Sequence, residues 1–263
     1  MSSVTHRTLC TTCEKREAFY YRQSSGEKLC SVCLEESLEN HVKHSFSKRV
    51  KLGKNPLVTT YIPTERILEG FLLSYMLTKI ERRFGGTVSV VSFSEVLRII
   101  KELRLNEYLE RNGNVRYVLL ERRIDDIECY TIKSLEKTLR NLGENLELIK
   151  DAQAVLLPYT LTDLNEAFLE HVILGVGDLS TLKLGDYMVN GVPLILPYAQ
   201  VDRVDVIALS HALKFTELLN AELALSKTAC GASGIIKDLV IRITLKHPEL
   251  TRSMLRSMRF FSQ

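Results

Sequence analysis

Short apolar runs alternate along this chain with longer segments whose apolar positions recur every three or four residues. The runs are PLVTTYI (56–62), TVSVVSF (87–93), VRYVLLE (115–121), AVLLP (154–158) and VPLILPY (192–198). Their length and their β-branched and aromatic content predict strands, and their continuous apolarity predicts burial on both faces. Helical periodicity occupies about 64–83, 94–109, 131–142, 162–174, 201–213 and 233–246. Ser94-Glu95 and the acids of QVDRVD (200–205) are suitable helix starts, because carboxylates favour the positive end of the helix dipole. The alternation predicts an α/β domain built on a parallel sheet.

The first fifty residues read differently. CTTC (Cys10, Cys13) and CSVC (Cys30, Cys33) enclose sixteen residues, among them AFYYRQSSGEKL, which reads as two short strands around Ser25-Gly26. Each C-x-x-C folds as a knuckle aiming two thiolates at one metal, and two knuckles complete a tetrahedron. The expected product is a zinc ribbon holding a closed, structural Zn2+. Behind it, Leu34, Leu38, Val42 and Phe46 recur at helical spacing. That helix ends in a basic stretch with His41, Lys43, His44, Lys48, Arg49, Lys51 and Lys54 and no acid after Glu39. The stretch reads equally as a solvated face and as a phosphate-binding stripe suited to RNA backbone. The boundary falls near Gly53–Pro56, giving a ribbon and basic helix (1–54) followed by an α/β domain (55–263).

With 263 residues, 45% hydrophobic and 25% charged, the chain can bury a sizeable core. A net charge of +3 leaves any attraction to nucleic acid to a local patch. No apolar run reaches the ~20 residues that span a bilayer, and the N-terminus lacks a signal-peptide core. A cytoplasmic location with reduced thiols and no membrane contact is the expectation.

The front module carries R-x-x-S-G-E-x-L-C-x-x-C-x-x-x-S-x-E-x-x-V from Arg22 to Val42. Patchier similarity follows at KIERRF (79–84), GDLSTL (177–182), GVPLILPY (191–198) and KHPELTRSMLRS (246–257). In these segments the chain resembles the tRNA 2-thiouridine synthetase branch of the PP-loop ATPase superfamily. The resemblance implies a Rossmann-like PP-loop domain behind the ribbon, and a chemistry in which ATP adenylates a tRNA base before sulfur replaces oxygen.

Against that pattern the chain departs at several positions. Where the family has a glycine-rich S-G-G-x-D-S loop, the chain has Tyr61, Ile62, Pro63, Thr64, Glu65 and Arg66, leading from the first strand into a helix read as amphipathic. Proline lacks an N–H, isoleucine resists positive φ, and Glu65 places negative charge where a polyphosphate would bind. Pro63 and Glu65 instead suit a helix start, and one arginine does not replace a nest of amides. ATP binding is therefore not expected at this turn. The family cysteines flanking Thr-Ile are Tyr130 and Lys133 here, with Cys129 out of register. G-H-N-x-D-D becomes PYTLTD, keeping Asp163, and a later family cysteine corresponds to Cys230. Cys129 and Cys230 are the remaining catalytic candidates, as a sulfur relay or iron–sulfur pair. As free cysteines they read better as two small buried hydrophobes, so no iron–sulfur cluster is expected.

The resemblance thus implies a degenerate, non-catalytic, tRNA-binding paralogue in wobble-uridine 2-thiolation. Its implied partners are tRNA, an active PP-loop paralogue or a second copy of itself, and a ubiquitin-like sulfur carrier. The alternatives are an ATP-dependent tRNA sulfurtransferase with an altered loop and a zinc-ribbon nucleic-acid-binding regulator.

Overall fold

The computed structural model describes residues 8–47, 50, 54–120, 129–182, 188–225 and 231–261. At the front, β1 (Tyr20–Arg22) and β2 (Glu27–Leu29) form an antiparallel hairpin with Tyr20 opposite Leu29. Gly26 takes the turn at φ 74°, a conformation that costs glycine little. Helix α1 (Ser31–Ser47) starts on the second cysteine knuckle and buries Leu34, Leu38, Val42 and Phe46, the four apolar residues of its i+4 ladder.

The main sheet has the order β5-β4-β3-β6-β8-β7. Its parallel strands are β3 (Leu57–Ile62), β4 (Thr87–Phe93), β5 (Asn114–Leu120), β6 (Ala154–Leu156) and β8 (Val192–Ile195). A two-residue strand, β7 (Met188–Val189), pairs antiparallel with β8 at the edge. Parallel pairing requires crossovers, and helices supply them: α2 (Ile67–Glu81), α3 (Ser94–Glu102), α4 (Leu105–Asn112), α5 (Thr131–Glu144) and α6 (Leu161–Leu174), while α7 (Arg203–Leu213), α8 (Glu217–Leu225), α9 (Gly231–Lys246) and α10 (Pro248–Phe261) follow the last strand and pack against the others. The expected α/β parallel sheet behind a small cysteine-bearing ribbon is thus present. None of the described helices is long and apolar enough to cross a membrane.

Strand alternation divides the core in two. Val58 and Ile62 of β3, Ala154 and Leu156 of β6 and Ile195 of β8 face a cluster that continues through α2 and α7 into α1 and the ribbon. Tyr61, Val155 and Leu194 face the opposite cluster, with α5, α6 and α10. Ribbon and sheet therefore share one continuous core.

Three expectations are corrected. Helix α2 is not amphipathic: it is central and buried nearly all round, under α1, α7 and α8. The segment 94–109 is two helices, broken where Arg104 takes a left-handed φ of 54°. Helix α2 begins at Ile67, so Pro63 and Glu65 precede it and do not start it.

Candidate functional site: the carboxyl edge of the sheet

The strand order reverses between β3 and β6, since β3 leads outward to β4 and β5 while the chain returns to β6 on its other side. In open α/β sheets the crevice beyond the strand ends at this reversal is the ordinary ligand position. Its rim is made by the 63–66 turn and the N-termini of α2, α5 and α6.

All three helix starts are already supplied with acceptors from within the chain. At α6 the Thr160 hydroxyl accepts from the Asp163 N–H at 3.3 Å, while Asp163 Oδ2 accepts from the Thr160 N–H at 2.7 Å, a capping box. At α2 the Leu68 N–H donates to Glu222 Oε2 of α8 at 3.2 Å. At α5 the Ile132 N–H donates to Glu170 Oε2 at 2.9 Å, and the Thr131 hydroxyl donates to Glu166 Oε2 at 3.0 Å. Carboxyl groups of the chain's own side chains take these N–H donors.

Two guanidinium groups tie these acids together. Arg66 donates from Nε and Nη2 to Asp163 Oδ1 at 2.8 and 2.5 Å and lies 3.8 Å from Glu166 Oε2. Arg203 donates from Nε to Glu69 Oε1 at 2.6 Å and from Nη2 to Glu222. Burial pushes the Asp163 carboxyl up, but Arg66 and Arg203 outweigh it and hold it below its ordinary value. For Glu222, burial and Glu69 prevail over both arginines, and its carboxyl rises to about 8. Arg66, expected as the one residue of the turn that could touch a phosphate, is instead a buried member of this network. Glu65, on the same turn, accepts from the Ser134 hydroxyl of α5.

At the ribbon, Cys10, Cys13, Cys30 and Cys33 bring their sulfurs within 4.8 Å of one another, with Cys13 and Cys30 3.9 Å apart. Burial pushes the Cys10 thiol up, but the backbone N–H groups of Cys13, Cys30 and Thr12 bring it down to about 6. Burial and the neighbouring sulfurs hold the Cys33 thiol high. The ribbon is fixed to the main domain through Asp205 of α7, which accepts from the Tyr20 hydroxyl at 2.5 Å and pairs with Arg22 Nε at 3.1 Å.

The expected basic stripe is only partly described. Lys43 pairs with Glu39 at 2.6 Å, whereas His44 and Lys54 are exposed. Lys48, Arg49 and Lys51 lie outside the described residues. Cys129 is disulfide-bonded, so it is not the small buried hydrophobe expected of a free cysteine; Cys230 lies outside the described residues. Sequence reading missed Glu69, Glu166, Glu170, Arg203 and Glu222. The available signal was their ionisable chemistry inside otherwise apolar helical segments, where a charge is retained only with a partner.

A doubly wound parallel sheet with a crevice at its reversal point matches the PP-loop ATPase fold. Among solved structures, the U34-tRNA thiolase NcsA from Methanococcus maripaludis, described with its [4Fe-4S] cluster, matches with a TM-score of 0.67 and 15% identity, over 97% of this chain and 87% of that one. At that identity the shared property is the fold. No family model and no curated protein matches the sequence.

This neighbour overturns one expectation. A structural zinc ion with no iron–sulfur cluster was the cofactor reading, yet a protein of the same fold carries a [4Fe-4S] cluster. Four cysteine thiolates are also the usual donor set of such clusters, and this chain gathers four. The donor set fits a metal centre without excluding iron and sulfide.

Proposed function

We propose that this chain acts in tRNA thiolation as a tRNA-binding subunit that does not itself activate the base with ATP. The observation carrying the reading is the occupation of the crevice: Arg66–Asp163 spans it, and Glu222 takes the helix N–H at α2. A triphosphate entering there would meet five buried carboxyl groups, Glu69, Asp163, Glu166, Glu170 and Glu222, against two arginines. The tRNA-thiolase fold neighbour supports the pathway, and the exposed His44 and Lys54 support contact with RNA backbone. Residues 1–54 present the metal centre and basic helix, and 55–263 form the body. An active paralogue supplies the chemistry; α9 offers a surface for it or for a second copy of the chain, with Ile235, Ile241 and Leu245 exposed.

Titration calorimetry with Mg-ATP, beside gel-shift measurement of tRNA binding, tests the reading. Salt-dependent tRNA binding without heat from Mg-ATP is expected. Micromolar ATP binding would instead establish the sulfurtransferase alternative, and absence of tRNA binding would sink both.

A further inference from the structure

Two adjoining hollows lie where the ribbon, α7 and α10 meet. The first, of about 330 Å³, is walled by Arg22, His41, Asp202, Asp205, Arg252 and Arg256. The second, of about 340 Å³, continues along α10 past Pro248 and Ser253. Arg252 and Arg256 line both hollows, one helical turn apart, so the two guanidinium groups stand where the compartments join. Neither is committed to an ion pair among the described residues.

The first hollow has an acceptor at its wall. Asp202 directly precedes α7, where an aspartate ordinarily caps the helix, yet it makes no capping bond. It is 6% exposed and its Oδ1 has no partner among the described residues. The neighbouring Asp205 is satisfied by Tyr20 and Arg22, so the unmet acceptor belongs to Asp202 alone. Burial, reinforced by Asp205, raises the Asp202 carboxyl to about 6, as expected of an acid without a donor of its own. Half-buried His41 stands at the same wall, its ring kept neutral by burial and by Arg22.

We propose that these hollows form a groove for a short run of single-stranded RNA, with a phosphodiester held by Arg252 and Arg256 and the N–H edge of one base received by Asp202. The inference rests on the RNA reading above and deepens it. A ligand satisfying every wall must be anionic in the middle, carry a donor at one end and repeat over two compartments. Inorganic phosphate answers only the arginines, and a lone base answers only Asp202; a dinucleotide answers both. The His41 ring offers a stacking surface of the kind single-stranded bases use.

The test is calorimetric titration of the full metal-loaded chain with UpU, CpC, ApA and GpG, and with inorganic phosphate. At least one dinucleotide is expected to bind, and phosphate is not. Arg252→Ala/Arg256→Ala, on the solvent side of α10, should weaken that dinucleotide tenfold or more and remove most of the salt dependence of its binding. Asp202→Asn should change the preference among the four dinucleotides while leaving the salt slope unchanged. No dinucleotide binding by the unaltered chain, unchanged affinity in the arginine variant, or equal binding of phosphate would each overturn the groove. A chain that binds tRNA but no dinucleotide loses the groove and keeps the proposed function. Dinucleotide binding without tRNA binding does the reverse.

Discussion

Arg66 and Asp163, ninety-seven residues apart, meet across the point where the strand order reverses, with both Nε and Nη2 of the arginine on one carboxylate oxygen. The same carboxylate closes the capping box of α6 through its other oxygen. One side chain thus ends a helix and neutralises a guanidinium that protein has removed from water. On the proposed function, the pair turns the usual ligand position of this architecture into a structural joint. A glycine-free turn is suited to that use, because side chains and not backbone amides make the contacts.

Removing one partner of such a joint leaves the other buried and uncompensated. Arg66→Met is expected to cost about 3–5 kcal/mol of stability in urea unfolding. Combining it with Asp163→Asn should cost less than the two single losses together, because the uncompensated charge is then gone. A loss below about 1 kcal/mol in Arg66→Met would show that the crevice is held by something else.

The strands and most helices were legible because burial on two faces leaves an unmistakable apolar run, as in AVLLP around Ala154–Leu156. The four sulfurs were legible because a metal knuckle is a local device. The crevice was not. Its partners lie 97 residues apart for Arg66–Asp163 and 154 for Leu68–Glu222, and no periodicity encodes such a distance. Helix α10 was overlooked although Thr251, Leu255 and Met258, all buried, recur at helical spacing behind Pro248. Helix α2 was read as amphipathic, but its charged Glu69 and Glu81 are buried in the fold.

Buried acids should make the protein less stable as pH rises toward 8. Glu81 is 1% exposed, neither of its oxygens has a partner among the described residues, and burial lifts its carboxyl to about 7. With its folded value above the unfolded one, the native state holds the extra proton between about 4.5 and 7. The associated stability is present at low pH and lost as pH climbs through 7. Asp202 at about 6 and Glu222 at about 8 act in the same direction. Asp163, held low, acts oppositely, its contribution being lost only in acid. The Tm should therefore fall between pH 5 and 8, and Glu81→Gln should flatten that fall and raise Tm at pH 8 by about 2–4 °C. A Tm in Glu81→Gln that tracks the unaltered protein across the whole range would contradict this assignment.

Replacing Cys10 and Cys13 with serine removes half of the donor set and should release the metal centre while leaving the sheet folded. Elemental analysis for zinc and iron, with visible absorption to detect sulfide-bridged iron, reads both the loss and the identity of what was bound. Because the cysteine knuckles then lose the centre that joins them, proteolysis should cut first before residue 31. Stoichiometric metal retained by the double variant would mean that other residues hold it.

Helix α2 can lie against β3 only because residue 70 has no side chain. A Cβ built on Gly70 would stand 2.7 Å from Ile62 Cγ2 and 3.0 Å from Cγ1, atoms that belong to the buried end of the strand and have no free space to enter. Alanine is the better helix former by about 1 kcal/mol, so an open site would gain from the change. Here overpacking should prevail, and Gly70→Ala is expected to lose about 1–3 kcal/mol net. The cause is separable from a general intolerance of the helix. Ile62→Ala removes the obstructing atoms at the cost of a cavity, and Gly70→Ala fills part of that cavity. In a double-mutant cycle the two losses should therefore fall short of additive by at least about 0.5 kcal/mol. Strict additivity would mean that the helix shifts as a body to admit the methyl group, moving Leu68 away from Glu222 and reopening the helix N-terminus that the carboxylate now fills.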